Sequence, residues 1–285
     1  MGSNTSACLS SSSDYPSLNL KLGDIPESCI SLILTHLDPP EICQFARLNC
    51  AFHGASSADF IWELKLPSNY RYIIEKLSDE GFELDGLGKK ELYGRLCRFN
   101  PFDGGTKEVW LDKKTGGVCL LISSKGLSIT GIDDRRYWNY IETDESRFES
   151  VAYVQQTWWF EVAGEIEFKF PKGNYSLFFR LHLGKKVSKK RLGGGGRRVC
   201  NMEHVHGWDI KPVKLEVKTG DGQETVSMRF LDDPGNWVRY HAGDFIVGRS
   251  DQMTKIKFWL RQIDCTHTKG GLCVDSVLIC PTTYY

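Results

Sequence analysis

Residues 22–64, LGDIPESCISLILTHLDPPEICQFARLNCAFHGASSADFIWEL, hold three short stretches of helical periodicity and too few residues to build an interior around them. Cys29, Ile30, Ile33, Leu34 and Leu37 recur at three- and four-residue spacing, which gives the first stretch an apolar stripe. Asp24 is placed to cap that helix. Pro26 suits its first position, where a missing N–H costs nothing, and Glu27 favours the positive helix end. Asp38-Pro39-Pro40 is expected to stop it, because a proline disfavours helix in the residue before it. Ile42, Phe45 and Leu48 make a second stripe, and Phe60, Ile61, Trp62 and Leu64 a third behind Ser56-Ser57. So small a unit is marginal without disulfides, metal or a partner, so part of its apolar surface is expected to meet another protein.

Outward from this stretch the pattern changes twice. Tyr70–Leu77 and Lys89–Phe99 have helical character and are separated by Gly81, Gly86 and Gly88, which predicts a helical connector. Asn100-Pro101-Phe102-Asp103-Gly104-Gly105 is rich in breakers and closes it. From about residue 107 the runs are those of strands: Val118–Ile122, Trp158–Phe170 with Gly164 as a bulge or turn, Tyr175–Leu183 and Val213–Val217. Val226–Phe230, Trp237–Tyr240, Phe245–Val247, Ile256–Ile263 and Val274–Cys280 follow. Gly, Asn, Asp and Pro clusters separate them at short intervals, and no helix-length segment intervenes. That pattern predicts an antiparallel β-sandwich, jelly-roll-like, and argues against a doubly wound α/β fold. The expected organisation is α+β and multidomain: a tail over 1–21, an all-α module over 22–66, a connector over 67–105 and the sandwich over 106–285.

Composition narrows the function classes. The 285 residues carry 36 basic and 36 acidic groups. Residues 22–64 hold Asp24, Glu27, Asp38, Glu41, Asp59 and Glu63 against Arg47 alone, which leaves 35 basic and 30 acidic elsewhere. Neither part has the basic footprint of a nucleic-acid binder, and no apolar run reaches the length of a membrane span. Ten cysteines follow a serine-rich N-terminus without an apolar signal segment, so free thiols in a reducing compartment, cytoplasm and nucleus, are expected. Cys200, His204 and His206, and Cys265, His267, Cys273 and Cys280, lack the paired short spacing of a structural zinc site. No metal and no cofactor are expected.

Ile25-Pro26-Glu27, Ile33-Leu34, Leu37-Asp38-Pro39-Pro40-Glu41-Ile42, Phe52, Ala55-Ser56-Ser57 and Trp62 together resemble an F-box, the helical module that docks on the Skp-type adaptor of cullin-based ubiquitin ligases. Leu127-Ser128-Ile129-Thr130, Tyr137-Trp138, Ser146-Arg147-Phe148, Trp159–Ile166 and the closing strand resemble a phloem protein 2 domain. In this order the chain is similar to plant F-box proteins of the phloem protein 2-like class. The resemblance implies a non-catalytic substrate-recognition subunit. Leu22, Ile25, Pro26, Ile30, Ile33, Leu34, Leu37 and Pro39 would meet the adaptor, and the cullin through it. The sandwich would present a protein client for ubiquitination and proteasomal degradation, a glycosylated one if the sugar site is kept.

Lectin members of that class bind N-acetylglucosamine oligomers and related N-glycans, which implies a site at Asp133, Tyr137 and Trp138. The match there is partial. An aromatic of the lectin members is replaced by Gly131, and two acidic residues by Lys255 and Gln262. Competing readings are a freestanding lectin, which needs no adaptor, and a glycosidase using Glu161, Glu165 or Glu167, which would need a second carboxylate across a cleft. Met1-Gly2 with Ser6 fits a myristoylation pattern, with Cys8 placed for a second lipid; an unmodified tail is the simpler expectation. Lys185–Arg198 carries seven basic and no acidic residues beside four glycines, which suits a solvated loop or an import signal.

Overall fold

The computed structural model describes residues 22, 25–79, 86–184 and 205–284. Among these residues six α-helices precede thirteen strands: α1 Glu27–Leu34, α2 Pro39–Phe45, α3 Cys50–Ala55, α4 Asp59–Lys65, α5 Tyr70–Ser78 and α6 Lys89–Leu96. The stretch expected to hold three helices holds four, because Asn49 opens an extra one. Its side-chain oxygen accepts the Phe52 N–H at 2.9 Å and satisfies a donor that the helix start leaves orphaned. Pro26 stands one residue outside α1 as its cap, and its carbonyl accepts the Cys29 and Ile30 N–H groups at 2.9 and 3.1 Å. Asp24 lies outside the described residues. Asp38-Pro39-Pro40 does not stop the first helix, which has already ended at Leu34; it starts the second. Asp38 and Glu41 form a reciprocal capping box there, and the prolines fill positions where no N–H is needed.

Two antiparallel sheets follow, an α+β arrangement with a lectin-like β-sandwich. The eight-stranded sheet runs β1 (Asn100–Phe102), β2 (Lys107–Leu111), β3 (Val118–Ser123), β13 (Leu272–Pro281), β6 (Ser150–Val154), β5 (Trp138–Glu142). On the other edge of β13 lie β8 (Gly173–Leu183) and then β11 (Trp237–Val247). The last strand is thus the hub of this sheet. One of its edges meets β8 along its length, and the other is shared between β6 and β3. The five-stranded sheet runs β10 (Glu224–Arg229), β9 (Val213–Thr219), β12 (Thr254–Gln262), β7 (Phe160–Phe168), β4 (Ser128–Ile129).

Two expectations change. Trp237–Tyr240 and Phe245–Val247 are one strand, bent by a register shift between His241 and Gly243 rather than broken by a turn. Gly164 is no bulge, since β7 and β12 pair without a register shift from Phe160 to Phe168. It is glycine because the Phe258 ring lies across it: a Cβ there would stand 2.2 Å from Phe258 Cε2.

The helices are not a separate body. One apolar cluster runs from Ile30, Leu34 and Trp62 through Tyr93 and Phe102 to the strands of both sheets. Trp62 packs on Tyr93 at 5.3 Å and donates its indole N–H to the Ser56 carbonyl at 2.7 Å. Tyr72 meets Phe168 edge-on at 5.1 Å, and the Asn69 amide donates to the Lys169 carbonyl at 2.6 Å. Gly116, at φ 69°, brings the β2–β3 turn onto the end of α4, where a Cβ would lie 2.6 Å from the Lys65 carbonyl. Among the described residues no helix is long and apolar enough to cross a membrane.

Gly164→Ala is expected to cost about 2 kcal/mol by overpacking against Phe258, measured by chemical denaturation. Its cost in a Phe258→Leu background should be clearly smaller; an equal cost in both backgrounds would contradict the close ring approach.

Candidate functional site

Helix α1 carries two apolar faces. Ile30 and Leu34, one turn apart, are fully buried, and Leu37 beyond them is half-buried. Cys29, Leu32 and Ile33 share the opposite face by the same 3.6-residue arithmetic, and Leu32 and Ile33 are 62% and 52% exposed. The stripe read from sequence merged these two faces. Of the residues expected to meet an adaptor, Ile30, Leu34 and Pro39 point into the chain's own interior, so they support a docking surface without touching what docks. Leu22, Pro26 and Ile33 are exposed, and Ile25 and Leu37 lie between. Five further apolar side chains of the module, Leu32, Phe45, Leu48, Phe60 and Leu64, are exposed as well, and none of them is among the residues expected to meet an adaptor. The signal for Leu32 was available, since it falls three residues after Cys29 and beside Ile33.

The sugar-site residues divide differently. Asp133 and Tyr137 are exposed, and the Arg136 guanidinium, bonded to Asp134 at 2.6 Å, covers one face of the Tyr137 ring at 5.5 Å. Trp138 is fully buried, stacked on Phe160 at 5.9 Å, and Phe160 in turn meets Trp208 edge-on at 4.9 Å. A side chain enclosed in this way offers no face to a sugar, so Trp138 is a core residue. Gly131 has φ 82°, a conformation that an aromatic at that position rarely adopts. Lys255 pairs with Glu165 at 2.6 Å, and buried Gln262 donates to the Lys211 carbonyl at 2.6 Å. The aromatic surface of this end lies elsewhere: Trp158 and Trp159, just before β7, are 52% and 43% exposed.

The carboxylates Glu161, Glu165 and Glu167 do share the outward face of β7, as a regular strand requires. Glu165 is held by Lys255 and Lys257, and Glu161 by Arg261 at 3.7 Å. The same Arg261 bonds Glu216, a nearly buried carboxylate on β9 that also accepts from Lys214 at 3.2 Å. These are cross-strand ion pairs on one sheet face, not two carboxylates across a cleft. Burial pushes the Glu216 carboxyl up, but the bonds from Arg261 and Lys214 outweigh it and hold it below 4.5.

Cys119 and Cys280 are buried, and burial pushes the Cys280 thiol up to about 12. The remaining cysteine and histidine candidates do not converge: Cys265 is exposed, and the His267 ring bonds the Gly207 carbonyl at 2.8 Å. Among the described residues no cluster of His, Cys, Asp or Glu could hold a metal ion. Gly2, Cys8, Cys200, His204 and the basic run Lys185–Arg198 lie outside the described residues.

The protein-family pattern for phloem protein 2 matches residues 117–281. The chain is similar over nearly its whole length to three Arabidopsis thaliana proteins. It is 62% identical to F-box protein PP2-A13 over 94% of this chain and 91% of that one. The figures for F-box protein PP2-A11 are 57%, 98% and 94%, and those for F-box protein PP2-A12 are 59%, 96% and 94%. Among solved structures, a family 35 carbohydrate binding module from Clostridium thermocellum is matched over 56% of this chain and 96% of that one. Identity is 6% and the TM-score 0.31, too loose a likeness to carry weight.

The Glu216 ion pairs make stability pH-dependent with a definite sign. A carboxyl whose pKa is lowered on folding contributes fully above its unfolded value of 4.5, and the contribution is lost as pH falls through the lowered folded value. Glu216→Gln is therefore expected to cost about 2 kcal/mol at pH 7, with the gap to wild type closing below pH 4.5. Thermal melts of both proteins across that range check it, and a gap independent of pH would contradict it.

Proposed function

The chain belongs to the plant F-box proteins of the phloem protein 2 class, and from that premise we propose that it is the substrate-recognition subunit of a Skp adaptor–cullin–F-box ubiquitin ligase. One observation carries the proposal: α1 is apolar on two opposite faces, and the described residues cover only one of them. A helix apolar on both sides is expected to be buried on both sides. The Skp-type adaptor supplies the second cover, seated on Leu32 and Ile33 with Leu22, Leu48 and Leu64 as further exposed apolar groups of the module.

On the other side the sandwich holds the client, for which the sugar-binding members of the class make an N-glycan the first candidate ligand. Ubiquitin transfer then speeds up because the client's lysines are kept close to the charged conjugating enzyme, an effective-concentration effect. The chain supplies no catalytic residue in this scheme. The ion-paired state of Glu161 and Glu165 supports that reading over a glycosidase. Action in cytoplasm and nucleus is part of the same proposal.

Leu32→Asp combined with Ile33→Asp is expected to abolish co-purification with a Skp-type adaptor while changing stability by no more than about 0.5 kcal/mol, the usual range for surface positions. Leu34→Ala, on the buried face, should instead cost about 2–5 kcal/mol as a cavity and weaken binding only in proportion to unfolding. Pull-down paired with denaturant melts separates the two effects. Retention of the adaptor by the Leu32→Asp, Ile33→Asp chain would sink the assignment.

A further inference from the structure

We propose that Trp158 and Trp159 form a preorganised platform on which a neutral pyranose ring of the client's glycan stacks, a site distinct from the loop at Asp133, Tyr137 and Trp138. The inference rests on the glycan reading given above and places its contact.

The doublet is held more firmly than an exposed loop requires. Thr157 exchanges both backbone hydrogen bonds with Lys269, at 2.8 and 2.9 Å, and its hydroxyl donates to the Trp159 carbonyl at 2.8 Å. Lys269 is fully buried, and its ammonium donates to the carbonyls of Trp158 and Gln262 at 2.9 Å each, with Asp264 4.0 Å away. Burial of an ammonium is costly and lowers its pKa, so a lysine in this place signals a backbone position that the fold fixes at some expense. Gly270 completes the clamp: a Cβ on it would stand 2.1 Å from the Gln155 carbonyl, so no other residue lets the two segments approach so closely. Two large indoles left half in water on an immobile backbone lose little freedom when something binds them.

The surroundings select the ligand's chemistry. The Trp159 indole N–H donates to Glu161 Oε2 at 3.1 Å, which pins the ring. The Thr130 hydroxyl donates to the same carboxylate oxygen at 3.4 Å, and Arg261 stands 3.7 Å from Oε1. An apolar ring face thus has a carboxylate, a guanidinium and a hydroxyl at its edge. This is the complement of a sugar, whose C–H face is apolar and whose perimeter carries hydroxyl groups that both donate and accept. Glu161 and Arg261 are paired, so this edge has little net charge to hold either a cation, the other common occupant of tryptophan faces, or a phosphate.

The test uses the full chain and the N-acetylglucosamine trimer, followed by indole fluorescence and calorimetry. Wild type is expected to bind, with Trp158→Ala and Trp159→Ala each weakening binding at least about tenfold, as loss of an aromatic anchor does. Tyr137→Ala should stay within about twofold of wild type on the same scale. Circular dichroism and adaptor co-purification verify that the variants are folded; should Trp159→Ala fail to fold, Trp158→Ala and Glu161→Gln decide. Binding that survives both tryptophan changes but is lost with Tyr137→Ala would overturn the platform and leave the glycan reading intact. A wild-type chain that binds neither the trimer nor any member of an N-glycan array would overturn both.

Discussion

The structure depends on one constraint: the helices over 27–65 are too few to enclose a core, so they share the one that the sheets build. Trp62 against Tyr93, Tyr72 against Phe168 and the Gly116 turn against Lys65 form the junction. Each large side chain buried there stabilises by about 1.5–3 kcal/mol relative to exposure, which is substantial against the small net stability of a domain. The consequence is directional. With Ile30, Leu34, Ile42, Phe52, Ile61 and Trp62 turned toward the shared interior, Leu32, Ile33, Phe45, Leu48, Phe60 and Leu64 have only the module's outer surface left. A shared core also makes the junction stiff, so whatever seats on α1 is held at a defined position relative to the sandwich.

The same economy appears at the other end of the sandwich. Trp138, the aromatic that the family resemblance marks for sugar contact, is used as core, stacked on the ring of Phe160. Lys269, a charged residue, is buried so that the segment bearing Trp158 and Trp159 stays in place. Core and surface have exchanged roles relative to what residue type alone suggests. The outer face of the five-stranded sheet, by contrast, is a plain lattice of cross-strand ion pairs, with Arg261 bridging Glu161 and Glu216.

Sequence was a good guide wherever a local rule and the tertiary environment agree. The α+β class, the lectin-like sandwich and the family were legible. The runs behind β3, β7, β8, β9, β10, β12 and β13 fall within two residues of the observed strand ends. It misled where one residue type serves two physical ends. Pro39-Pro40 reads as a stop but works as a start, because proline is tolerated in the first turn of a helix and Asp38 with Glu41 caps that turn. Gly164 reads as a bulge, but its missing side chain makes room for Phe258. The stripe on α1 mixed Ile30 and Leu34 with Ile33, since spacing finds apolar residues without saying which face the chain itself will cover. Nothing in the spacing could reveal that Lys269 is interior, because the pocket that takes its ammonium needs the Trp158 carbonyl, 111 residues away along the chain, beside that of Gln262.

Helices α4–α6 belong to the sandwich's core, while the outer face of α1 is free to take a partner. Amide hydrogen exchange of the full chain, with and without a Skp-type adaptor, tests it most directly. Helices α4–α6 are expected to be protected already in the chain alone, to a degree comparable with β12 and β13, with the protection added on binding concentrated in α1–α3. Fast exchange across α4–α6 that slows only when the adaptor binds would contradict it, for the helices would then have no share in the sandwich's core.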